Sequence, residues 1–576
     1  MTRVLNDPTT FARDHLRGFA HLHADLLTAV PGGVVRADAP PAATVAVVTG
    51  GGSGHYPAFC GWVGPGLADG AVVGDVFASP SAEQVVRVAR AADTGGGVLL
   101  VYGNYAGDVL NFTEALDRLA AEGVAVRQLA VTDDVTSAGP DERERRRGTA
   151  GDLVVLKVAG AAAAAGHDLD RVTALAERAN ARTASFGIAF SGCTLPGADA
   201  PLFDLPDGLM GVGMGVHGEP GIAEQPVARA ADLARLLVDR LLAERPADAS
   251  DRVAVLLNGL GATKYEELFL LWGEVAALLE AAGLTLVAPE VGELITSLDM
   301  AGLSLTVCWL DAELEELWRA PATSPAFRRG AVHAGPARRT AAATPAPVAE
   351  TAPVTPRAPE VVAVSRLVAG AAGDVRDALA AAEQHLGDLD AVAGDGDHGR
   401  GMSRGASAAH EAAARAAALG AGPATVLQEA GAAWADRSGG TSGALWGAAL
   451  RAAAGALPDD AVPDASAVVA AVTAARDALV RTGGAAVGDK TMLDAIEPFV
   501  TVLAEGVADG APVREAWTRA AREAQTAAEA TAQLTPLRGR ARPLAARSLG
   551  HPDPGAVSAA LVLTTLGGAG TGGGPA

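Results

Sequence analysis

The chain has 576 residues and is 49% hydrophobic, which is enough for about two to four globular domains with sizeable cores. Its formal net charge of −22 and pI of about 4.9 argue against nonspecific binding to nucleic acid or to anionic membrane surfaces. The three cysteines form no CxxC pair, the N-terminus lacks the apolar core of a signal peptide, and no apolar run reaches the ~18–20 residues that span a bilayer. We therefore expect a soluble, cytoplasmic protein.

The N-terminal part has the pattern of an α/β domain. Short runs rich in Val and Leu predict buried strands at residues 44–49, 97–102, 124–131 and 253–257. Helical patterns at residues 81–92 and 113–121 alternate with them. This alternation is typical of a parallel sheet that binds ligands at the carboxyl ends of its strands.

Three glycine-rich loops in this part each carry one chemically competent side chain. His55 follows the first strand in GGGSGH (50–55), Asp108 follows the second in GNYAGD (103–108), and His217 lies within GVGMGVHGEPG (211–221). None of the loops has the spacing of a dinucleotide-binding or P-loop motif. A single His or Asp in such a loop is usually a turn residue, but the three together suggest a nucleophile, a base and an electrophilic partner.

A segment rich in Pro, Ala and Thr, residues 335–360, lacks apolar periodicity and predicts an extended, semi-rigid linker. The predicted domains are therefore residues 1–332 and 361–576, joined by a linker over 333–360. In the second domain, long Ala-rich helical patterns cover residues 406–419, 465–481 and 513–532. We expect an all-α bundle with functional Gly/Asp loops at one end.

The segment LDAVAGDGDHG (389–399) places Asp390, Asp395 and Asp397 beside three glycines. Carboxylates this close repel one another unless a cation neutralises them, and Mg²⁺ prefers such oxygen ligands and commonly also holds substrate phosphates. The glycines allow phosphate groups to approach the backbone amides. The alternative is an acidic, solvated turn, because Asp and Gly are both turn formers.

Seven motifs together carry a family resemblance. They are GGGSGHYPAFCGWVG (50–64), NYAGDVLNF (104–112), GVHGEPG (215–221), LDAVAGDGDHG (389–399), GGTSGALWG (439–447), GDKTMLDA (488–495) and GHPDPGA (550–556). In this order they resemble the dihydroxyacetone kinase family in its single-chain, ATP-dependent form, which includes erythrulose kinases. The resemblance implies an α/β ketose-binding domain, an all-α helical-barrel nucleotide domain and a homodimer.

The resemblance also implies roles for the N-terminal candidates. His217 would attack the carbonyl of a short ketose and hold it as a covalent hemiaminal, which suits imidazole chemistry near neutral pH. His55 would assist that addition, and Asp108 would act as the base near the terminal hydroxyl. The implied substrate contacts are Gly52, Ser53, Gly54, His55 and Asp108.

In the C-terminal domain the resemblance makes Asp390, Asp395 and Asp397 the Mg²⁺ ligands, with ATP bound alongside. We expect Lys490 to be structural, because no P-loop surrounds it. The implied ATP contacts are His398, Gly399, Arg400, Gly401, Thr441, Ser442, Gly483, Met492, Arg540, Asp553, Pro554 and Gly555.

One position departs from the family pattern. The family usually has Lys immediately before the Asn-Tyr of the second motif, where this chain has Gly103. The loss of a long cationic side chain leads to the hypothesis that Gly103 makes room for the fourth carbon of a ketose such as erythrulose. The sequence leaves dihydroxyacetone and erythrulose equally open as substrates.

Other functions stay open at this point. The resemblance also includes non-catalytic, ketose-sensing regulatory proteins, but those lose catalytic residues that this chain retains. Phosphotransfer subunits that use a phosphohistidine donor normally place the two domains on separate chains. A side activity that forms a cyclic flavin phosphate would use the same metal–nucleotide site.

Overall fold

The computed structural model describes residues 4–219, 221–330, 357–394, 396–538, 542 and 545–568. The chain forms two compact units, Met1–Pro345 and Ala346–Ala576. Only residues 357–360 of the predicted linker lie within the described residues, so its boundaries stay a prediction. Among the described residues, no helix combines the length and the apolarity needed to cross a lipid bilayer.

The first unit contains a six-stranded sheet. Its strands are β1 (Leu27–Val30), β2 (Gly33–Arg36), β3 (Ala46–Ser53), β4 (Gly70–Val76), β5 (Val98–Gly103) and β6 (Val126–Val131). They follow the order β1-β2-β4-β3-β5-β6, with β4, β3, β5 and β6 parallel to one another. The central strands β3 and β5 are buried along their whole length, which explains their continuous apolar sequence. Their carboxyl ends therefore meet at one edge, as predicted.

A second, seven-stranded sheet in the same unit differs from the predicted pattern. Its strands are β7 (Thr183–Ala189), β8 (Leu209–Val212), β9 (Ala223–Pro226), β10 (Arg252–Gly259), β11 (Thr285–Leu286), β12 (Glu290–Gly292) and β13 (Gly302–Trp309). The predicted strand 253–257 is part of β10, but β10 pairs antiparallel with β13, and β13 pairs antiparallel with β7. A buried strand has the same apolar run in a parallel and in an antiparallel sheet, so the sequence did not distinguish the two kinds of pairing. Two short strands, β14 (Ala322–Thr323) and β15 (Arg328–Arg329), form a separate hairpin.

Helices separate and cover the two sheets. They are α1 (Phe11–Leu22), α2 (Ala82–Ala92), α3 (Ala106–Ala121), α4 (Gly151–Ala164), α5 (Leu169–Ala181), α6 (Ala230–Leu242), α7 (Tyr265–Ala281) and α8 (Ala312–Arg319). Nearly every residue of α4 is buried, because this helix contacts strands of both sheets in one continuous core. Helices α2 and α3 pack on the first sheet, and α6 and α7 pack on the second. The unit is therefore a layered α/β domain.

The second unit is helical throughout its described residues. Its helices are α9 (Pro359–Ala381), α10 (Glu383–Ala391), α11 (His398–Ala418), α12 (Pro423–Ser438), α13 (Gly440–Gly455), α14 (Ala465–Gly483), α15 (Leu493–Ala508), α16 (Val513–Ala530), α17 (Ala545–Ser548) and α18 (Pro554–Gly568). Each of α9, α11, α12, α13, α14, α15 and α16 packs on the next, and α16 packs on α18, which returns to α9. The ring encloses a core made largely of alanine, whose small side chain allows close packing of helices. The predicted helical barrel is confirmed.

Candidate active site

The carboxyl edge of the first sheet brings together the three N-terminal candidates. His55 follows the end of β3, and Asp108 lies in the first turn of α3, directly after β5. His217 lies in the loop after β8, so the second sheet delivers it to this edge. The two sheets thus bring together His55 and His217, which are 162 positions apart in the chain.

The predicted glycine turn at residues 50–54 is mostly strand, because β3 continues to Ser53. Its glycines are required for packing: a Cβ on Gly51 would lie 2.3 Å from the ring of Phe59, and a Cβ on Gly52 would lie 2.8 Å from the amide nitrogen of Ala78. Gly54 has φ +100°, a conformation that other residues rarely adopt. The hydroxyl of Ser53 donates to the carbonyl of Gly74 at 2.7 Å.

The rings of His55 and His217 form a hydrogen-bonded pair. Their Nε2 atoms are 3.1 Å apart. His55 Nδ1 lies 2.8 Å from the carbonyl oxygen of Thr296, and His217 Nδ1 lies 3.1 Å from a carboxylate oxygen of Glu219. Both outer partners are acceptors, so both Nδ1 atoms carry protons, and the Nε2···Nε2 contact requires one more. We infer from these contacts that three protons lie on four nitrogens, so that the pair carries one positive charge opposite the carboxylate of Glu219.

Further side chains fix the orientation of His217. The ring of Tyr105 meets it edge-on with centroids 4.5 Å apart, and Phe77 stacks on His55 at 4.9 Å. Oε2 of Glu219 accepts from the backbone N–H of His217 at 2.9 Å, and a guanidinium nitrogen of Arg147 lies 3.8 Å from the same oxygen. Sequence reasoning missed these supporting residues. Glu219 was visible in the motif GVHGEPG, whereas Thr296 gives no sequence signal because it lies 241 positions from His55.

Asp108 is buried in the first turn of α3 and has a second carboxyl nearby. Burial, then the carboxylates of Asp133 and Asp108, raise the pKa of Asp152 well above its usual value. Asp152 was not recognised from the sequence, since it lies in an otherwise apolar helix.

The second unit gathers helix N-termini at one end of its ring. His398 begins α11, and its ring nitrogens contact the hydroxyls of Ser442 near the start of α13, at 3.2 Å, and Ser558 in α18, at 2.9 Å. A Cβ on Gly555, at the start of α18, would lie 3.6 Å from Met492, the residue before α15. Helix N-termini carry unpaired N–H groups and partial positive charge, so this end is suited to bind phosphate groups.

Acidic side chains lie at the same end. The backbone N–H of His398 donates to Asp390 at 3.3 Å. Burial, and then Asp390, raise the pKa of Asp397 to about 7, while Arg400 opposes the shift. Burial also raises the pKa of Asp553 to about 7, with Asp390 and Asp494 contributing. Such a concentration of half-buried carboxyls fits a site for a divalent cation, which offsets their repulsion.

Asp395 lies outside the described residues, and within the described ranges no three His, Cys, Asp or Glu side chains converge closely enough to enclose an ion. Asp390 ends a helix rather than lying in a loop, since α10 extends to Ala391. Asp390 and Asp397 are therefore the described residues of the predicted magnesium site.

The remaining residues predicted to contact ATP, apart from Arg540, lie in or next to the helices of the second unit. A Cβ on Gly399 would lie 2.0 Å from the carbonyl oxygen of Glu383, so this glycine allows α10 and α11 to touch. The carbonyl of Gly401 accepts from the hydroxyl of Ser438 at 2.9 Å, and a Cβ on Gly483 would lie 3.2 Å from Leu445. Thr441 is in the first turn of α13 and Pro554 is the first residue of α18. Arg540 lies outside the described residues.

Lys490 is buried, and its ammonium donates to the carbonyl of Ser548 at 2.7 Å. This contact holds the loop before α15 against the segment that precedes α18. The structural role expected for Lys490 fits this geometry.

Each half of the chain matches a known domain family. Residues 17–326 match the Dak1 domain family, and residues 392–568 match the DAK2 domain family. The chain is 55% identical to a D-erythrulose kinase of Mycolicibacterium smegmatis, over 98% of both chains. It is 53% identical to an L-erythrulose kinase of Pectobacterium atrosepticum, over 98% of this chain and 96% of the relative.

One solved structure aligns with nearly the whole chain. The dihydroxyacetone kinase of C. freundii in complex with AMP-PNP and Mg²⁺ is 31% identical, with a TM-score of 0.53 over 98% of this chain and 99% of that one. The histidine pair, the acidic cluster, the helical ring and these similarities lead to one conclusion. The chain belongs to the dihydroxyacetone kinase family, in its single-chain, ATP-dependent form.

Proposed function

We propose that this protein transfers the γ-phosphoryl group of ATP to a terminal hydroxyl of erythrulose, held as a covalent hemiaminal on His217. The observation that carries the proposal is the His55–His217 pair, with 3.1 Å between the Nε2 atoms and a carboxylate oxygen of Glu219 3.1 Å from Nδ1 of His217. The choice of a four-carbon ketose is supported by the two erythrulose kinases at 53–55% identity over nearly the whole chain. The two relatives are named for opposite enantiomers, so the similarities do not distinguish D-erythrulose from L-erythrulose as the substrate.

The proton arrangement of the pair suits addition to a ketone. When the carbonyl carbon enters between the rings, the lone pair on Nε2 of neutral His217 attacks it, and the C–N bond forms as the C=O π bond breaks. The carbonyl oxygen takes the Nε2 proton of the His55 imidazolium, which becomes neutral. The positive charge moves to the ring of His217, where Glu219 already faces Nδ1. The step therefore balances in atoms and charge without an external acid.

Asp108 is the proposed base for phosphoryl transfer. Its position in the first turn of α3 places it at the edge of the sheet where β3 and β5 end. As the terminal hydroxyl oxygen bonds to the γ-phosphorus, the bond to the bridging oxygen of ADP breaks and Asp108 accepts the hydroxyl proton. A positioned base of this kind typically contributes ~10²–10⁴-fold in rate.

The nucleotide is proposed to bind at the N-terminal ends of α11, α13, α15 and α18. Mg²⁺ held by Asp390 and Asp397, with Asp395, would offset the charge of the phosphates. His398, Ser442 and the backbone amides of these helix starts would contact the phosphate oxygens. The homodimer and the cytoplasmic location remain predictions from the sequence and its resemblance.

Nuclear magnetic resonance with ketose labelled at the carbonyl carbon tests the hemiaminal directly. On binding in the absence of ATP, the ¹³C resonance should move from the ketone region to that of a tetrahedral carbon. The His217→Ala variant should not show the shift, whereas Glu224→Gln, at an exposed carboxylate of β9, should behave as wild type. A ketone resonance that persists in saturated, active wild-type enzyme would contradict the covalent adduct. Adduct formation without ATP turnover would indicate the ketose-sensing alternative.

A further inference from the structure

The carboxyl of Asp152 lies next to the candidate ketose site and has no role in the steps above. Asp152 is the second residue of α4, and only 3% of its surface is exposed. It lies close enough to Asp108 for the two charges to interact, because Asp108 contributes to the raised pKa of Asp152. Burial and the neighbouring carboxylates raise the pKa of this carboxyl and so favour its protonated form, which offers both an O–H donor and a C=O acceptor.

One oxygen of this carboxyl is left without a hydrogen-bond partner. Among the described residues, nothing donates to or accepts from the buried Oδ1 of Asp152. Its neighbour Asp133 is different, because it accepts from the N–H and hydroxyl of Thr149 and from the N–H of Gly151, at 2.6–2.8 Å. A buried polar atom without a partner is unfavourable and rare in folded proteins, so it calls for a ligand.

Two glycines, Gly103 and Gly148, flank the carboxyl of Asp152. A Cβ on Gly103 would lie 3.3 Å from Oδ2, and a Cβ on Gly148 would lie 2.9 Å from Oδ1. Both flanking positions are glycine, so no side chain at either covers the carboxyl. Gly103 also lies against the ring of Tyr105, which packs on His217 with centroids 4.5 Å apart. Gly103 thus borders both Asp152 and the aromatic ring that packs on His217.

We propose that Asp152 is a specificity-determining residue, whose carboxyl hydrogen-bonds the additional hydroxyl that a four-carbon ketose has and dihydroxyacetone lacks, beside Gly103, where the absence of a side chain leaves the carboxyl uncovered. This inference rests on the proposed function. Dihydroxyacetone would leave the buried oxygen unpartnered, and a site built to bind a hydroxyl discriminates strongly against a substrate without it.

The test is the ratio of kcat/KM for erythrulose to that for dihydroxyacetone, measured with saturating ATP and Mg²⁺. Asp152→Ala should lower this ratio about 10- to 100-fold, mainly through a higher KM for erythrulose. Asp152→Asn should recover most of it, because an amide also offers a donor and an acceptor. The matched control is Asp170→Asn, since Asp170 is the second residue of α5 but is exposed. The control should keep the wild-type ratio.

A second variant keeps the proposal testable if Asp152→Ala fails to fold, as judged by its thermal melt. Gly103→Ala fills the space between Tyr105 and Asp152 and should lower kcat/KM for erythrulose more than for dihydroxyacetone. Equal losses for both ketoses, or no change in the ratio in either variant, would overturn the role of Asp152. Failure of the wild-type enzyme to phosphorylate any ketose would instead overturn the proposed function.

Discussion

Glu219 is the acidic partner of the histidine pair. It contacts both the ring and the backbone N–H of His217, and it is itself held by Arg147, which pairs with Asp134 at 2.7 Å. The sequence identified His55, Asp108 and His217, because glycines expose each of them after an apolar strand. It did not identify Glu219 or Asp152, since a carboxylate acquires such a role only through neighbours that the fold supplies.

We predict that Glu219→Gln lowers kcat/KM for the ketose. The amide keeps the size of the side chain but removes the negative charge that stabilises the imidazolium, so a loss of about 10- to 100-fold is expected. The KM for ATP should not change, because Glu219 belongs to the first unit. Steady-state kinetics measure both, with Glu224→Gln as the control. Wild-type kcat/KM in Glu219→Gln would show that the pair needs no counter-charge.

Helices and strands were predictable where the sequence pattern is compatible with only one kind of secondary structure. The strands β3, β5 and β6 and the helices α2, α11, α14 and α16 overlap the predicted segments. The antiparallel pairing of β10 with β13 and of β13 with β7 was not predicted. A fully buried strand lacks the alternation of apolar and polar residues that would distinguish antiparallel from parallel pairing. The metal segment was expected to be a loop, but Asp390 belongs to α10 and His398 starts α11.

The contact between α10 and α11 depends on Gly399. We predict that Gly399→Ala destabilises the second unit by about 1–3 kcal/mol and weakens ATP binding, because the new Cβ would meet the carbonyl oxygen of Glu383. Gly370→Ala in α9 is the matched control, since its Cβ would meet no atom within 4 Å, and it should raise stability by about 0.5–1 kcal/mol. Urea unfolding and nucleotide titration measure the two effects. Equal stability in the two variants would contradict the packing role.

Helix α4 carries a buried lysine between the sheets. Burial, with Arg329 nearby, lowers the pKa of Lys157 to about 7. Between pH 7 and about 10 the unfolded chain binds more protons here than the folded chain, so stability should rise with pH in this window, by about 1 kcal/mol per pH unit. Below pH 7 this contribution should be constant.

Chemical unfolding of wild type and Lys157→Met at pH 7, 8 and 9 tests this expectation. The stability of the wild type relative to the variant should increase over the series. Lys264→Met, at an exposed lysine, is the control and should give a difference that does not change with pH. A pH-independent difference for Lys157→Met would mean that its ammonium stays charged in the folded protein.

For the whole molecule, the two compact units suggest a division of labour between ketose and nucleotide. The hemiaminal chemistry proposed for the first unit uses protein side chains alone, whereas a cation would relieve the repulsion within the acidic cluster of the second. Length and composition predicted about two to four domains, and the segment rich in Pro, Ala and Thr at residues 335–360 predicted the division into two. The sequence alone did not choose the ketose.

We predict that Asp397→Asn, or removal of Mg²⁺ with EDTA, reduces ATP turnover at least 100-fold. The ¹³C signal of the ketose adduct should persist in both cases, because His55, His217 and Glu219 are unaffected. Loss of the adduct together with turnover would contradict the division of labour.

The measurement that tests the central claim most directly is ATP- and Mg²⁺-dependent phosphorylation by the purified full chain, across D- and L-erythrulose, dihydroxyacetone, glyceraldehyde and glycerol. The proposed mechanism predicts the highest kcat/KM for one enantiomer of erythrulose, a lower value for dihydroxyacetone and no turnover of glycerol, which has no carbonyl for His217 to attack. Phosphorylation of glycerol at a rate comparable to that of the ketoses would contradict the account.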